Sequence, residues 1–238
     1  MTTLGWLAAV AIIALGAAIQ GSVGFGLGVV GAPILILLDP RLVPGPILLD
    51  ALLLTVLVTV REWRHVRLAD LGWSVPGRLL GTAIAVWILR AVPSARLQFT
   101  MGVFMLLAVA LTLVGPRLRI GRRTLFGAGT LAGVMSTITS MGGPPMALLY
   151  QNEEGPRLRG TLAAFFALGV VFSIGGLAVA GRFGWTEIRL AALLLPGVVL
   201  GFVLSAWTAK RLDKRHIRVI VLVTSAVAGV LVVVSGLM

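Results

Sequence analysis

Apolar stretches of about 20 residues recur along the whole chain, separated by short basic or Pro- and Gly-rich segments. A helix of this length spans the hydrocarbon core of a bilayer and satisfies its own backbone hydrogen bonds there. With 58% hydrophobic and 12% charged residues, the chain lacks the polar surface that a soluble domain needs. The pattern predicts an all-α integral membrane protein with one transmembrane domain over residues 1–238.

The positive charge of the chain is concentrated in the segments between the apolar stretches. The formal net charge is +12. A nucleic-acid-binding protein would gather its Lys and Arg residues on one face, whereas this distribution is typical of loops held on one side of a membrane. We therefore expect a lipid bilayer as a partner and no nucleic acid. Because the chain has no cysteine, thiolate metal sites and disulfides are excluded, and no metal or cofactor is expected.

Two halves of the chain, residues 1–116 and 117–238, share an ordered pattern of glycine and proline. The matching positions are Gly21, Gly31 and Pro33 with Gly133, Gly143 and Pro145, and Pro76, Gly77 and Gly81 with Pro196, Gly197 and Gly201. An ordered series of this kind is typical of membrane proteins built from two structural repeats. We therefore predict two related repeats.

Each repeat begins with an apolar stretch too long for one span and too short for two, Leu4–Leu38 and Arg122–Gln151. A Gly-rich interruption past its middle predicts a helix, a break and a shorter helix that returns to the same side. Three spans are predicted to follow in each repeat: Pro46–Val60, Leu68–Leu89 and Leu97–Val114, then Leu158–Ala180, Ile188–Ala209 and Ile217–Leu237. This count gathers most loop Lys and Arg on one side, so it predicts inverted repeats with both termini outside.

The two breaks are the candidate functional site. Glycine permits a sharp turn, proline suits the first turn of the next helix, and the free N–H groups of a helix start attract anions. We expect a small-anion site near the middle of the membrane, formed by Ser22, Gly24, Phe25, Gly26, Gly28, Ser136, Thr137, Thr139, Ser140, Gly142, Gly143 and Pro144. Alternatively, the small residues serve helix packing, and the hydroxyls bond their own backbone.

Four further polar residues are candidates. Arg78 lies near the middle of its span and is expected to bind the anion; snorkelling or pairing with Asp50 is the alternative. Asp50 is a candidate for carrying a coupling proton, and the alternative is a solvated or paired position near the interface. Gln20 and Asn152 stand at the ends of the broken segments and are candidates for lining the path.

The Gly24-Phe25-Gly26…Pro33 segment, the Met141-Gly142-Gly143-Pro144-Pro145 segment and the repeated Pro-Gly-x-x-x-Gly motif resemble the TauE/SafE sulfite-exporter family. The resemblance extends over essentially the full chain. It implies a multi-pass protein of the bacterial inner membrane that transports a small sulfur-containing anion, such as sulfite or a sulfonate, often outward. It also implies that these two segments bind the anion.

Several alternatives stay open at this point. Within transport, the substrate is alternatively another small oxyanion or a carboxylate. No Walker-type nucleotide loop is present, so the expected driving force is an ion gradient or the gradient of the anion itself. A membrane-embedded enzyme needs clustered His, Asp or Glu at membrane depth, and we do not expect one because only Asp50 and Arg78 lie there. A non-transporting assembly subunit is the third alternative, and a homodimer is left open.

Overall fold

A computed structural model of the protein describes residues 2–93, 96–114, 118–153, 155–208 and 214–235. These residues form ten α-helices and contain no strand. The helices are α1 (Thr3–Val23), α2 (Leu27–Leu38), α3 (Gly45–Arg61), α4 (Leu68–Ala91), α5 (Leu97–Val114), α6 (Arg122–Thr139), α7 (Gly143–Leu149), α8 (Gly155–Val179), α9 (Trp185–Thr208) and α10 (Lys214–Ser235). The predicted repeat boundary between residues 116 and 117, and the predicted span ends at Ala209 and Leu237, lie outside the described residues.

Five segments are long and apolar enough to cross a bilayer: α1, α4, α8, α9, and Pro40–Arg61, which joins the short helix at residues 40–42 to α3. Polar and apolar side chains are also placed as a lipid surround requires. Arg78 of α4 is 0% exposed, whereas its neighbours Leu79 and Leu80 are each 46% exposed. Large apolar side chains face outward and a charged one faces inward because hydrocarbon does not solvate charge. The predicted all-α membrane class is confirmed.

Both long apolar stretches are interrupted where the glycine pattern predicts a break. Helix α1 ends at Val23 and α2 begins at Leu27, while α6 ends at Thr139 and α7 begins at Gly143. The break residues with a left-handed backbone are Gly24 (φ 101°), Gly26 (φ 150°) and Ser140 (φ 62°). Two of the three are glycine, because a side chain is unfavourable in that conformation. The breaks therefore follow from local residue chemistry.

After the first break the chain turns back along the helix it has just left. A Cβ atom at Gly16 of α1 would lie 3.1 Å from the Cα atom of Leu27, at the start of α2. One at Gly31, a turn later in α2, would lie 3.8 Å from Cδ1 of the earlier residue Ile13. Later residues of α2 thus meet earlier residues of α1, so the two helices run in opposite directions. An antiparallel hairpin of this kind is the local arrangement that the predicted return of the shorter helix requires.

The repeated Pro-Gly-x-x-x-Gly motif brings helix backbones into contact. A Cβ atom added to Gly77 of α4 would collide with the carbonyl oxygen of Phe126 in α6, and one added to Gly81 would collide with that of Thr130. The corresponding glycines of α9, Gly197 and Gly201, meet carbonyl groups of α1 in the same way. Small residues allow such close approach between membrane helices. For this motif, the packing interpretation is the one that the structure supports.

Gly81→Ala is therefore expected to destabilise the protein by about 1–3 kcal/mol, because its methyl group would collide with the Thr130 carbonyl oxygen of α6. Gly72→Ala is the matched control on the same helix. A Cβ at Gly72 meets nothing within 4 Å, so alanine should raise helix stability by up to about 1 kcal/mol. Thermal unfolding of the purified variants measures both. Equal unfolding midpoints for the two variants would contradict this account of the α4–α6 contact.

Candidate functional site

The two breaks lie against each other. A Cβ atom added to Gly28, in the first turn of α2, would clash with the carbonyl oxygen of Ser140 in the second break. In the reverse direction, a Cβ at Gly143 would lie 3.0 Å from Cδ2 of Phe25 in the first break. Segments more than a hundred residues apart in sequence therefore form one junction, in which Gly28 packs on the backbone of the second break and Gly143 on the Phe25 side chain of the first.

A cavity of about 30 Å³ lies at this junction. Its lining includes the following predicted site residues: Gln20, Phe25, Gly26, Gly28, Ser136, Ser140, Gly142 and Gly143. Residues that the sequence reasoning did not single out complete the lining: Val29, Leu48, Ala51, Thr55, Phe166 and Val170. A cavity of this volume holds about one or two water molecules. The breaks thus line a small, partly polar and partly open space between the helices.

Arg78 is fully buried directly behind the wall of this cavity. Its Nη2 atom donates to the Ser136 hydroxyl at 2.8 Å and to the Ser173 hydroxyl at 3.1 Å. Its Nη1 atom donates to the carbonyl oxygen of Ala132 at 2.8 Å. A Cβ added to Gly142 would lie 2.9 Å from Nη1. The guanidinium therefore packs directly against this glycine of the second break. Ser136 and Gly142 both line the cavity.

The charge of Arg78 has no carboxylate partner among the described residues. Its Nε atom is buried without a hydrogen-bond partner, and its guanidinium carbon lies 5.6 Å from the centroid of the Phe165 ring. Ion pairs elsewhere in the described structure join Arg41 to Asp39, Arg61 and Arg159 to Glu62, and Arg67 to Asp70 and Glu153. A buried cation held only by neutral acceptors retains a strong attraction for an anion. This is the site's main electrostatic feature.

Asp50 does not neutralise Arg78. The Asp50 side chain is 0% exposed, and neither of its carboxylate oxygens has a hydrogen-bond partner among the described residues. The alternative in which Arg78 and Asp50 form a structural pair is therefore wrong, as is a solvated position for Asp50. Snorkelling of Arg78 is also wrong, because its guanidinium is bonded inside the helix bundle.

The Gln20 side chain forms a hydrogen bond across the first break. Its side-chain oxygen accepts a hydrogen bond of 2.9 Å from the backbone N–H of Leu27, the first residue of α2. An amide thereby satisfies one of the N–H groups that every helix start leaves unpaired. The start of α7 differs, because Pro144 and Pro145 carry no N–H. Their role is to set the direction of the short helix, so the two breaks offer unequal sets of backbone donors.

The predicted hydroxyl residues divide into two groups. Ser22 donates to the carbonyl of Ala18 at 2.7 Å and Thr139 to that of Met135, the local bonding expected when hydroxyls bond their own helix; Ser22 also makes a longer contact of 3.4 Å with the Ser205 carbonyl of α9. Ser140 donates to the carbonyl of Pro44 at 3.1 Å, across to the start of α3. Thr137 lies 2.8 Å from the hydroxyl of Ser173 and so extends the Arg78 network.

Two other candidates lie away from the cavity. Gly24 packs on the start of α8, where its Cβ would lie 3.2 Å from the Cα atom of Arg159. Asn152 is exposed in the turn after α7. The sequence reasoning also overlooked Ser173, a fully buried hydroxyl within the long apolar helix α8. Its isolation among apolar residues was the available signal, since a buried polar group requires a partner.

The model of the family described as sulfite exporter TauE/SafE matches residues 8–232 of the 238-residue chain. No curated protein and no solved structure matches the chain. The family match covers all ten helices in whole or in large part, including both breaks and Arg78. Members of this family are membrane transporters and not enzymes. The chain belongs to the TauE/SafE sulfite exporter family.

Proposed function

We propose that this protein is a secondary transporter that exports a small sulfur-containing anion, such as sulfite or a sulfonate, across the bacterial inner membrane. The observation that carries the proposal is the buried Arg78 guanidinium, which lies without a carboxylate partner behind the cavity between the breaks. The family assignment supports a transported anion. The anion would bind at the junction, close to Ser136 and Gly142.

The residues around the junction suit an oxyanion. A guanidinium presents several N–H donors in one plane, which match the oxygens of a sulfite or sulfonate group. Ser136 and Ser140, which also line the cavity, add neutral hydroxyl groups. Because the space holds only about one or two water molecules, a bound sulfite or sulfonate needs more room than this conformation gives, and we infer that the two breaks move apart. Movement of the breaks then connects the site to one side of the membrane at a time.

In this proposal, the movement takes place between two inverted repeats, residues 1–116 and 117–238, and both termini lie outside. Support comes from the packing of the repeated motif. The motif of α4 lies on α6, the first helix of the other half, and the motif of α9 lies on α1. In each repeat, the helix that carries the motif thus packs on the first helix of the other repeat. Single cysteines introduced near the two ends, labelled in intact cells with an impermeant reagent, test the topology.

The function is tested with the full chain reconstituted in phospholipid vesicles. Uptake of sulfite and of ethanesulfonate is measured with sulfate, acetate and a longer carboxylate as competitors. We expect saturable uptake that sulfite and the sulfonate inhibit mutually, and a thermal unfolding midpoint that rises with the transported anion. Preference for a carboxylate would instead make the protein a carboxylate carrier. Uptake no faster than in protein-free vesicles for every anion would leave the assembly-subunit alternative.

Substitutions in the second break test whether its residues take part in anion binding or only support the fold. Ser140→Ala removes a hydroxyl from the cavity wall and frees the Pro44 carbonyl, so we expect a loss of about 1–2 kcal/mol, or roughly tenfold, in anion affinity. Gly143→Leu should block the junction more completely, because even a Cβ there lies 3.0 Å from Phe25. Concentration dependence of uptake measures both effects. Parental kinetics in both variants would place the anion elsewhere.

A further inference from the structure

Asp50 is a buried acid that the proposed anion site does not use. It lies in α3, the helix whose residues Leu48, Ala51 and Thr55 line the cavity. Its side chain is 0% exposed, and both oxygens lack a hydrogen-bond partner among the described residues. By contrast, buried Asp70 accepts a hydrogen bond of 2.6 Å from the Tyr150 hydroxyl. Asp50 is therefore isolated in a way that the chain's other described buried acids are not.

Among the described residues, no charged group on the neighbouring elements forms an ion pair or hydrogen bond with Asp50. Helix α3 packs against α8, α9, α1, α2 and the short helix at residues 40–42. The charged groups on these elements whose side chains are described are engaged elsewhere or face outward: Arg159 bonds Glu62, Glu187 the N–H of Gly184, Arg189 the Trp185 ring and Arg41 Asp39, while Arg157 is exposed in the first turn of α8. Arg61, on α3 itself, bonds Ser205 and Gly21. Helices α1 and α2 carry no charged side chain.

An ionised carboxylate in such surroundings is costly, because neither water nor a partner replaces its hydration. The uncharged acid is the form that fits the described conformation. Ionisation requires water to reach Asp50, and that occurs when the helices around the cavity open to one side. The same opening exposes the anion site, since α3 forms part of both. Loading of the proton and loading of the anion are therefore tied to one movement.

Electrostatics determines the sense of this coupling. A bound anion and an ionised Asp50 are like charges in the same low-dielectric interior and raise each other's energy. An anion consequently favours the protonated acid, and by linkage the protonated acid favours the anion. Two ligands that assist each other's binding cross together rather than in exchange. For a monovalent anion, the joint movement transfers no net charge.

We propose that Asp50 is the proton-binding site of a proton–anion symport, an inference that rests on the proposed anion transport. On one side of the membrane, the Asp50 carboxylate takes a proton from hydronium and gives a carboxylic acid and water. On the other side, the acid returns the proton to water. The net movement is one proton with one anion. The direction of transport follows the sum of the two gradients, so an anion concentrated inside leaves together with a proton when its outward gradient exceeds the opposing proton gradient.

The first arm of the test detects the proton on Asp50 without any transport. Infrared difference spectra of the full-length protein in vesicles are recorded between about pH 5 and about pH 8. We expect a titrating carboxylic acid C=O band in the parent that is absent in Asp50→Asn and shifted in Asp50→Glu. Asp39→Asn is the matched control, because Asp39 is paired with Arg41 at 2.7 Å, and this variant should keep the band. A parental band in Asp50→Asn would overturn the proposal.

The second arm measures coupling with ethanesulfonate, which stays ionised over this range, so that any pH effect comes from the protein. The membrane potential is clamped with potassium and valinomycin. We expect a one-unit pH difference, acid outside, to sustain about a tenfold accumulation in parent and Asp39→Asn vesicles. Asp50→Asn should show no accumulation, and Asp50→Glu should restore it. Accumulation that follows the imposed potential and not the pH difference would overturn the symport.

The two arms keep the two proposals distinguishable. If neither ethanesulfonate nor sulfite enters parent vesicles, the proposed function fails, and the infrared band alone decides whether Asp50 binds a proton. If Asp50→Asn carries no anion at all, Asp50→Glu decides: recovered pH-driven accumulation supports a proton site, and its absence despite normal folding contradicts it. Folding is checked by monodisperse gel filtration.

Discussion

Arg78→Met is expected to abolish anion transport while the protein still folds. Removal of one partner of a buried charge interaction costs about 3–5 kcal/mol, which corresponds to a loss of at least about a hundredfold in anion uptake. The fold should survive, because methionine fills similar space and removes a buried charge that no described carboxylate balances. Uptake into vesicles and thermal unfolding of the same preparation measure the two effects separately.

Two further variants sharpen this test. Arg78→Lys keeps the charge but cannot reach Ala132, Ser136 and Ser173 with one planar fork, so an intermediate loss of about tenfold is expected. Arg90→Met is the matched control, since Arg90 is exposed on the same helix and donates to the Val179 carbonyl. It should transport at the parental rate. If Arg78→Met matched Arg90→Met in uptake, the anion would not bind at this guanidinium.

Gly28→Ala is expected to impair transport through the junction itself. The added methyl group would overlap the Ser140 carbonyl oxygen, a backbone atom that cannot rotate away. The two breaks can then no longer close on each other between the two open states, which should cost about 1–3 kcal/mol of stability and lower uptake about tenfold or more. Vesicle uptake and thermal unfolding are the measurements. The effect is large for one methyl group because both sides of the contact are backbone.

The control for Gly28→Ala is Gly127→Ala. Gly127 is exposed on α6, and a Cβ there meets nothing within 4 Å. Alanine should stabilise the helix by up to about 1 kcal/mol and leave uptake unchanged. Comparable uptake in the two variants would mean that contact between the breaks has no part in transport.

The membrane class and the positions of the breaks were predictable because both depend on local chemistry. Apolar stretches of span length are helical in a bilayer, since no other local conformation satisfies the backbone there. The Gly24-Phe25-Gly26 and Gly142-Gly143-Pro144 segments interrupt such helices by their own backbone preferences. The structure places the breaks at these segments. The inverted orientation of the repeats stays a prediction.

The roles of individual hydroxyl residues were not predictable in this way. Ser22 and Ser136 look alike in sequence, since both stand just before a break. Ser22 bonds the Ala18 carbonyl of its own helix, whereas Ser136 receives a hydrogen bond from Arg78. The difference arises because α4 places its arginine beside Ser136 of α6, whereas α9 presents the Ser205 carbonyl, an acceptor, to Ser22 of α1. Only the neighbouring helix distinguishes the two serines.

By itself, the sequence determined that this protein is a bundle of membrane helices with two interruptions, because hydropathy and glycine or proline preferences act within a few residues. Only the tertiary structure decided that the interruptions touch, that Arg78 reaches Ser136 and Ser173, and that Asp50 lacks a described partner. Those facts depend on contacts between helices far apart in the chain. Such contacts follow from the packing of whole helix faces, which no short stretch of residues encodes.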